Sequence, residues 1–208
     1  MLSTVKPDDI IDKEFCSHIQ LPKPPVMLSD MERQCILSLA KKFLKGNGGL
    51  EIGTWRGYTT GMLARAFPEE DFVTIDFPQP NHPHYPQFLP KEEIGMECRD
   101  LINVYQIYED SSKLSVADFT SSYFDFAFID GCHEIDYIIN DYKLAFDCTN
   151  KESIIIFDDF CLDYVDKINR GNHKTFSNGD VSLFVKEYKD THNWHYIEGT
   201  KLIYMTGI

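Results

Sequence analysis

Two stretches of this chain, Phe124–Asp130 (FDFAFID) and Ser153–Asp159 (SIIIFDD), are almost entirely apolar until they end in carboxylates. A strand that is apolar on both faces has to be covered on both faces, which is the condition of an inner strand in a parallel sheet flanked by helices. Shorter β-rich runs appear at Leu50–Ile52, Phe72–Asp76 and Asn103–Tyr108. Between them lie helical patterns. Asp30–Leu44 opens on the capping box Ser29-Asp30-Met31-Glu32 and stops at Lys45-Gly46-Asn47-Gly48-Gly49. Thr59–Ala66 follows a glycine turn, His133–Phe146 places Ile135, Ile138, Ile139, Tyr142 and Phe146 on one face, and Asp180–Lys189 turns Val181, Phe184, Val185 and Tyr188 inward. Strands alternating with helices predict an α/β fold with a mainly parallel sheet. Trp194–Glu198 and Leu202–Met205, around Gly199-Thr200, predict a closing hairpin. Residues 1–28, polar and then proline-rich, read as an irregular lead-in to one domain over 29–208.

The formal net charge is −13 and no basic tract occurs, which argues against nucleic acid as a partner and against anionic membranes. Met1–Phe15 carries charge and no apolar run, so no signal peptide is expected, and no stretch approaches a membrane span. The six cysteines form no C-x-x-C pair, and reduced thiols in a cytoplasmic protein are the expectation. Two polar loops, 77–95 and 160–179, are expected to shape a substrate pocket. His82 and His84 in the first read as part of a solvated lid rather than as metal ligands, and Asn169, Arg170 and His173 in the second are candidate substrate contacts. Trp55 reads as a core residue.

The junction Leu50–Thr60 (LEIGTWRGYTT) sits where a buried strand turns into a helix. Gly53 and Gly57 permit a sharp bend and close approach of a ligand, and the helix start offers unpaired N–H groups. The spacing differs from G-x-G-x-x-G and the P-loop lysine is missing, so neither a nicotinamide dinucleotide nor a triphosphate is the first choice. Asp76, 25 residues after Glu51, stands at a spacing where an acid can accept from both hydroxyls of a ribose. Glu51, Asp76, Asp130 and Asp158-Asp159 all come at strand ends, where open α/β sheets bind ligands. Such a convergence needs a cation or hydroxyl donors to answer it. Asp130, Asp158 and Asp159 are hard oxygen donors suited to Mg²⁺, and no soft ligand set accompanies them.

The phrase E-I-G-T-x-x-G-x-T resembles motif I of class I S-adenosylmethionine-dependent methyltransferases. That resemblance implies a Rossmann-like, mostly parallel seven-stranded sheet with a C-terminal antiparallel hairpin. It further implies that Glu51, Gly53, Thr54, Gly57 and Thr59 form the loop around the methionine part of the cofactor. Asp76 would hold the ribose, Asp110 and Ser111 the adenine side, and Asp130 would border the cofactor too. I-D-G-x-H followed by an acidic strand end is similar to the metal-dependent small-molecule and sugar O-methyltransferases, including enzymes that finish macrolide and aminocoumarin sugars, from about Asp30 to the C-terminus. By that resemblance Asp130, Asp158 and Asp159 bind the metal, expected to be Mg²⁺, and His133 is the catalytic base. Some relatives place an Asp base two residues after the first ligand, where this chain has Cys132; others place a His where His133 stands. The acceptor would be a small molecule with a free hydroxyl, such as a sugar, a polyketide or a catechol-like compound. A homo-oligomer is compatible with this reading. Two other classes also fit parts of the sequence: a metal-dependent hydrolase or hydroxylase built on the acids alone, and a cofactor-binding regulatory protein that keeps motif I without turnover.

Overall fold

The computed structural model describes residues 1–21, 27–78, 89–119, 123–162 and 180–207. Its strands are β1 (Leu2–Val5), β2 (Gly49–Ile52), β3 (Phe72–Asp76), β4 (Val104–Tyr108), β5 (Phe124–Ile129), β6 (Thr149–Phe157), β7 (Asn193–Ile197) and β8 (Ile203–Thr206). The helices of that region are α1 (Lys13–Ser17), α2 (Asp30–Phe43), α3 (Tyr58–Ala66), α4 (Ile135–Asp147) and α5 (Asp180–Tyr188). The eight strands form one sheet in the order β1-β7-β8-β6-β5-β2-β3-β4. β6–β8 and β7–β8 are antiparallel and the remaining pairs are parallel, so the parallel α/β sheet with a terminal antiparallel hairpin is as expected.

The sheet has eight strands rather than seven. The extra one is β1, inside the stretch read as an irregular lead-in, which pairs in parallel with β7 from Leu2↔Trp194 to Val5↔Ile197. Its alternation is too short and too polar to signal a strand locally; backbone pairing across almost the whole chain length makes it one.

Period-two alternation explains the two cores. In β5, Ala127 and Ile129 join one apolar cluster and Phe126 and Phe128 the other; in β6, Ile155 and Phe157 divide from Ile154 and Ile156 in the same way. Ile138, Tyr142 and Leu144 of α4, with Val181, Phe184 and Val185 of α5, cover the first face. Ile36, Leu37 and Leu39 of α2, with Met62 and Leu63 of α3, cover the second. The capping box of α2 is formed as read: the Glu32 backbone N–H donates to Ser29 Oγ, and Ser29 N–H donates to Glu32 Oε2 at 2.7 Å.

From β2 the chain winds outward through β3 and β4, and from β5 in the opposite direction through β6. The C-terminal ends of neighbouring β2 and β5 are therefore a topological switch point, where such sheets open a crevice. No helix among the described residues is long and apolar enough to cross a membrane.

Candidate active site

Register delivers the site. Ile75, Ile52, Ile129, Phe157 and Ile203 lie side by side across β3, β2, β5, β6 and β8. The next residue along each parallel strand is Asp76, Gly53, Asp130 or Asp158, so one row of the sheet ends in three acids and a glycine. Gly53 has φ +103°, and a Cβ built on it would lie 2.0 Å from the Asp130 carbonyl oxygen. Only a residue without a side chain lets the two strand ends close to this distance. Gly57 (φ +83°) is the N-cap of α3, and its Cβ would lie 2.5 Å from Cys98 Sγ.

A cleft of about 560 Å³ opens over this row. Among the residues singled out from the sequence, Glu51, Gly53, Thr54, Thr59, Asp76, Asp110, Ser111, Asp130, His133, Asp158 and Asp159 line it; Gly57, the N-cap of α3, is not on its lining. Trp55, read as a core residue, is on the cleft wall at 37 % exposure and adopts φ +45°. The left-handed turn needed to carry the chain from β2 into α3 points its ring outward, and its backbone N–H donates to Asp76 Oδ2 at 2.7 Å. His82, His84, Asn169, Arg170 and His173 lie outside the described residues.

The cofactor-side acids are held by hydroxyl groups and backbone. Glu51 Oε2 accepts from Thr60 Oγ1 and, at 2.8 Å, from Thr74 Oγ1, which also meets Thr54 Oγ1 at 2.6 Å. Burial raises the Glu51 carboxyl to about 7 against the pull of the two threonines, with Asp76 adding to the rise. Burial also raises Asp76, against the hydrogen bonds from the Trp55 and Phe77 backbone. Asp110 lines the cleft with Oδ1 committed to Ser112, accepting from its backbone at 2.9 Å and its hydroxyl at 2.7 Å. Ser111 donates to Asp141 Oδ1 at 2.5 Å. Asp141, raised to about 7 mainly by burial, was not singled out from the sequence. An acid within the apolar stripe of α4, between Ile138 and Ala145, was the signal available.

At the other end, the donor atoms of Asp130, His133 and Asp159 lie within 4.8 Å of one another. His133 precedes α4 instead of occupying its first turn. The helix begins two residues later because Asp180 Oδ2, from α5, accepts the Ile135 N–H at 3.0 Å, while the N-cap residue Glu134 supplies no side-chain cap. From this position ahead of the helix His133 Nδ1 meets Asp159 Oδ2 at 2.6 Å. Asp159 Oδ1 accepts from Lys201 Nζ at 2.8 Å. Lys201 arrives by antiparallel register: β8 runs back along β6, and Phe160 N–H donates to the Lys201 carbonyl at 2.9 Å. No local pattern in the sequence marks it.

The charges divide unevenly. Burial first, then Asp158 and Asp159, hold Asp130 well above the usual carboxylate range. Burial and Asp159 raise Asp158 to about 6, and its Oδ1 is buried with no hydrogen-bond partner among the described residues. Asp159 goes the other way: burial would raise it, but the hydrogen bonds from His133 and Lys201 outweigh that and lower it to about 2. Burial works against the charged His133, yet the bond to Asp159 and the charge of Asp158 leave it raised. Asp130, His133 and Asp159 form a converging donor set that fits a divalent cation; Asp158, one of the three expected ligands, lies outside that group, and its buried oxygen is unpaired among the described residues.

A family model described as a methyltransferase domain matches residues 50–160, more than half of the chain. No curated protein sequence matches. Among solved structures, the O-methyltransferase TomG of Streptomyces achromogenes, involved in tomaymycin synthesis and solved with S-adenosylmethionine, superposes with a TM-score of 0.64 at 18 % identity, over 89 % of this chain and 83 % of its own. An O-methyltransferase of Bacillus cereus in complex with S-adenosylhomocysteine gives 0.59 at 18 % identity, over 89 % and 84 %. CalS11, the TDP-rhamnose 3′-O-methyltransferase of calicheamicin biosynthesis, gives 0.57 at 17 % identity, over 93 % and 90 %. At these identities the likeness is one of fold.

Proposed function

The chain belongs to the methyltransferase-domain family, and from that premise we propose that it transfers a methyl group from S-adenosylmethionine to a hydroxyl of a small acceptor, aided by a divalent cation. The observation that carries this reading is one cleft at the switch point that joins the motif I turn, Asp76 and the Asp159–His133 pair. S-adenosylmethionine supplies a methyl already activated on a sulfonium, so the protein's tasks are to bind, align and deprotonate.

Gly53, Thr54, Gly57 and Thr59 form the turn against which the methionine portion would lie, and Asp76 accepts from the ribose hydroxyls. Ser111, oriented by Asp141, and Asp110 border the base. Glu51, Asp76 and Asp130 hold their protons more tightly than ordinary carboxyls in the ligand-free protein, and a positively charged donor beside them would favour their ionised forms more than its neutral product would. Mg²⁺, when bound, supplies polarisation and orientation of the acceptor oxygen. Asp130, Asp158 and Asp159 are its proposed ligands; the convergence of Asp130 and Asp159 donor atoms and the Asp158 Oδ1 left unpaired among the described residues support a cation there.

His133 takes the acceptor's proton. Asp159 orients its ring through Nδ1, which leaves the other ring nitrogen for the substrate, the usual arrangement of a base and the carboxylate behind it. Lys201 neutralises the far oxygen of Asp159 and so holds that carboxylate in place. A hydrolase built on the acids alone would leave the Gly53 turn and Asp76 without a task.

The test is titration calorimetry with S-adenosylhomocysteine, followed by methyl transfer to a panel of sugars and catechols with Mg²⁺ and with excess chelator. Binding together with Mg²⁺-dependent transfer is expected. Tight binding of a nicotinamide dinucleotide and no heat with S-adenosylhomocysteine would overturn the assignment, and full activity in chelator would remove the cation from it.

A further inference from the structure

Asp158 and Asp159 follow one another just past the end of β6, yet both line the cleft. Successive side chains on a strand point to opposite faces, so two neighbours share one space only where the backbone breaks its alternation. It does so at Asp159, which adopts φ +58°, a left-handed conformation that aspartate tolerates better than most residues. A residue held this way persists only where its surroundings fix it.

The two acids are answered very differently. Asp158 Oδ1 is buried with no partner among the described residues. Asp159 has both oxygens engaged, Oδ2 by His133 Nδ1 at 2.6 Å and Oδ1 by Lys201 Nζ at 2.8 Å. A cation is thus already seated on one member of the converging group Asp130, His133 and Asp159. An ammonium and a divalent ion on the same carboxylate oxygen would repel strongly at such range.

Lys201 can give way without disturbing its surroundings. Both polar groups of its backbone are pinned: the N–H donates to Glu32 Oε1 at 2.9 Å, and the carbonyl accepts from Phe160 N–H at 2.9 Å. Its side chain is 46 % exposed and flexible, so the ammonium can swing into water while the hairpin tip stays in place.

We infer that Lys201 is the resident cation of the acid cluster in the ligand-free protein, and that a divalent ion binds by displacing its ammonium from Asp159 Oδ1. The residue at 201 then sets how tightly the cluster takes a metal. This rests on the proposed cation and goes beyond it by naming what that cation has to replace.

The test is direct titration of the full chain with Mn²⁺, which shares the oxygen-ligand preference of Mg²⁺, with free Mn²⁺ read by electron paramagnetic resonance. Lys201→Met should bind Mn²⁺ at least about tenfold more tightly than the wild type. Lys201→Arg keeps the charge and should stay close to the wild type. A second measurement needs no variant: acetylation of Lys201 in the wild type, mapped by mass spectrometry, should run faster with Mn²⁺ than without it, because the metal frees the amine. It decides the matter even if Lys201→Met does not fold. Unchanged or weaker Mn²⁺ binding by Lys201→Met, equal tightening by Lys201→Arg, or acetylation that Mn²⁺ leaves unchanged or slows overturns the inference alone. No Mn²⁺ binding by the wild type or by Lys201→Met removes the cation from the functional reading and overturns this inference with it.

Discussion

Glu51→Gln should make the ligand-free protein more stable at pH 8 and leave it nearly unchanged at pH 5. Glu51 is 4 % exposed, and burial moves its carboxyl from an ordinary 4.5 to about 7. The sign follows from proton counting. Between those two values the folded chain keeps the proton and the unfolded chain has lost it, so folding stability falls as pH rises through that window. The gap corresponds to about 3 kcal/mol at about 1.4 kcal/mol per pH unit, all of it developed above pH 7. Glutamine has nearly the same shape, and its carbonyl can accept from Thr60 and Thr74 as Oε2 does. The variant therefore removes the ionisation and keeps the packing. Urea unfolding of both proteins from pH 5 to pH 8.5 measures the difference. The gap should open between pH 5 and pH 7 and then level off, and the variant should lose affinity for a cationic donor at the same time. Parallel pH profiles for the two proteins would refute the reasoning, because they would mean that Glu51 ionises in the fold at little cost.

Asp76→Ala should weaken S-adenosylhomocysteine binding by about 1.5–3 kcal/mol, the worth of hydrogen bonds to a charged group, as read by calorimetry. His133→Ala should lower kcat by about 10²–10⁴ with cofactor affinity preserved, and near-normal turnover would place the base elsewhere. Asp158→Ala should abolish the response to Mg²⁺ and most turnover while leaving S-adenosylhomocysteine binding largely intact, as a metal titration of activity would show. Gly53→Ala should cost about 3 kcal/mol or more, since the new methyl meets the Asp130 carbonyl in a backbone conformation that alanine resists. Thermal unfolding reads that directly.

The strand ends were legible because burial on both faces leaves a plain record in composition. FDFAFID and SIIIFDD could hardly be anything but inner strands, and their terminal acids had to emerge at one edge. The turn at Gly53 was legible because a sharp bend from strand to helix calls for glycine, whereas its contact with the Asp130 carbonyl depends on strand register and was not. Long-range register left no such record. Lys201 reaches Asp159 only because β8 runs antiparallel to β6, and β1 is a strand only because β7 accepts it. The start of α4 differs from the expectation for a related reason: its cap comes from Asp180, on another helix, and this leaves His133 ahead of the helix and within reach of Asp159. Trp55 showed a large apolar side chain in the sequence, whereas its position is set by the left-handed turn of its backbone.

The contact between Gly53 and Asp130 also bears on how such a protein can change its substrate. It welds the donor side of the cleft to the acceptor side, so neither can shift without disturbing the other. New acceptors would then have to be accommodated by parts that hang from the weld without belonging to it. The approach to α2, with Met27, Leu28 and Arg33, and the hairpin tip at Lys201 are two such parts, and the Glu32 carboxylate accepting the Lys201 N–H at 2.9 Å ties them together. Diversifying positions 27, 28 and 33 as one block, with Lys201 kept to hold Asp159, should yield variants that exchange acceptors while retaining the donor.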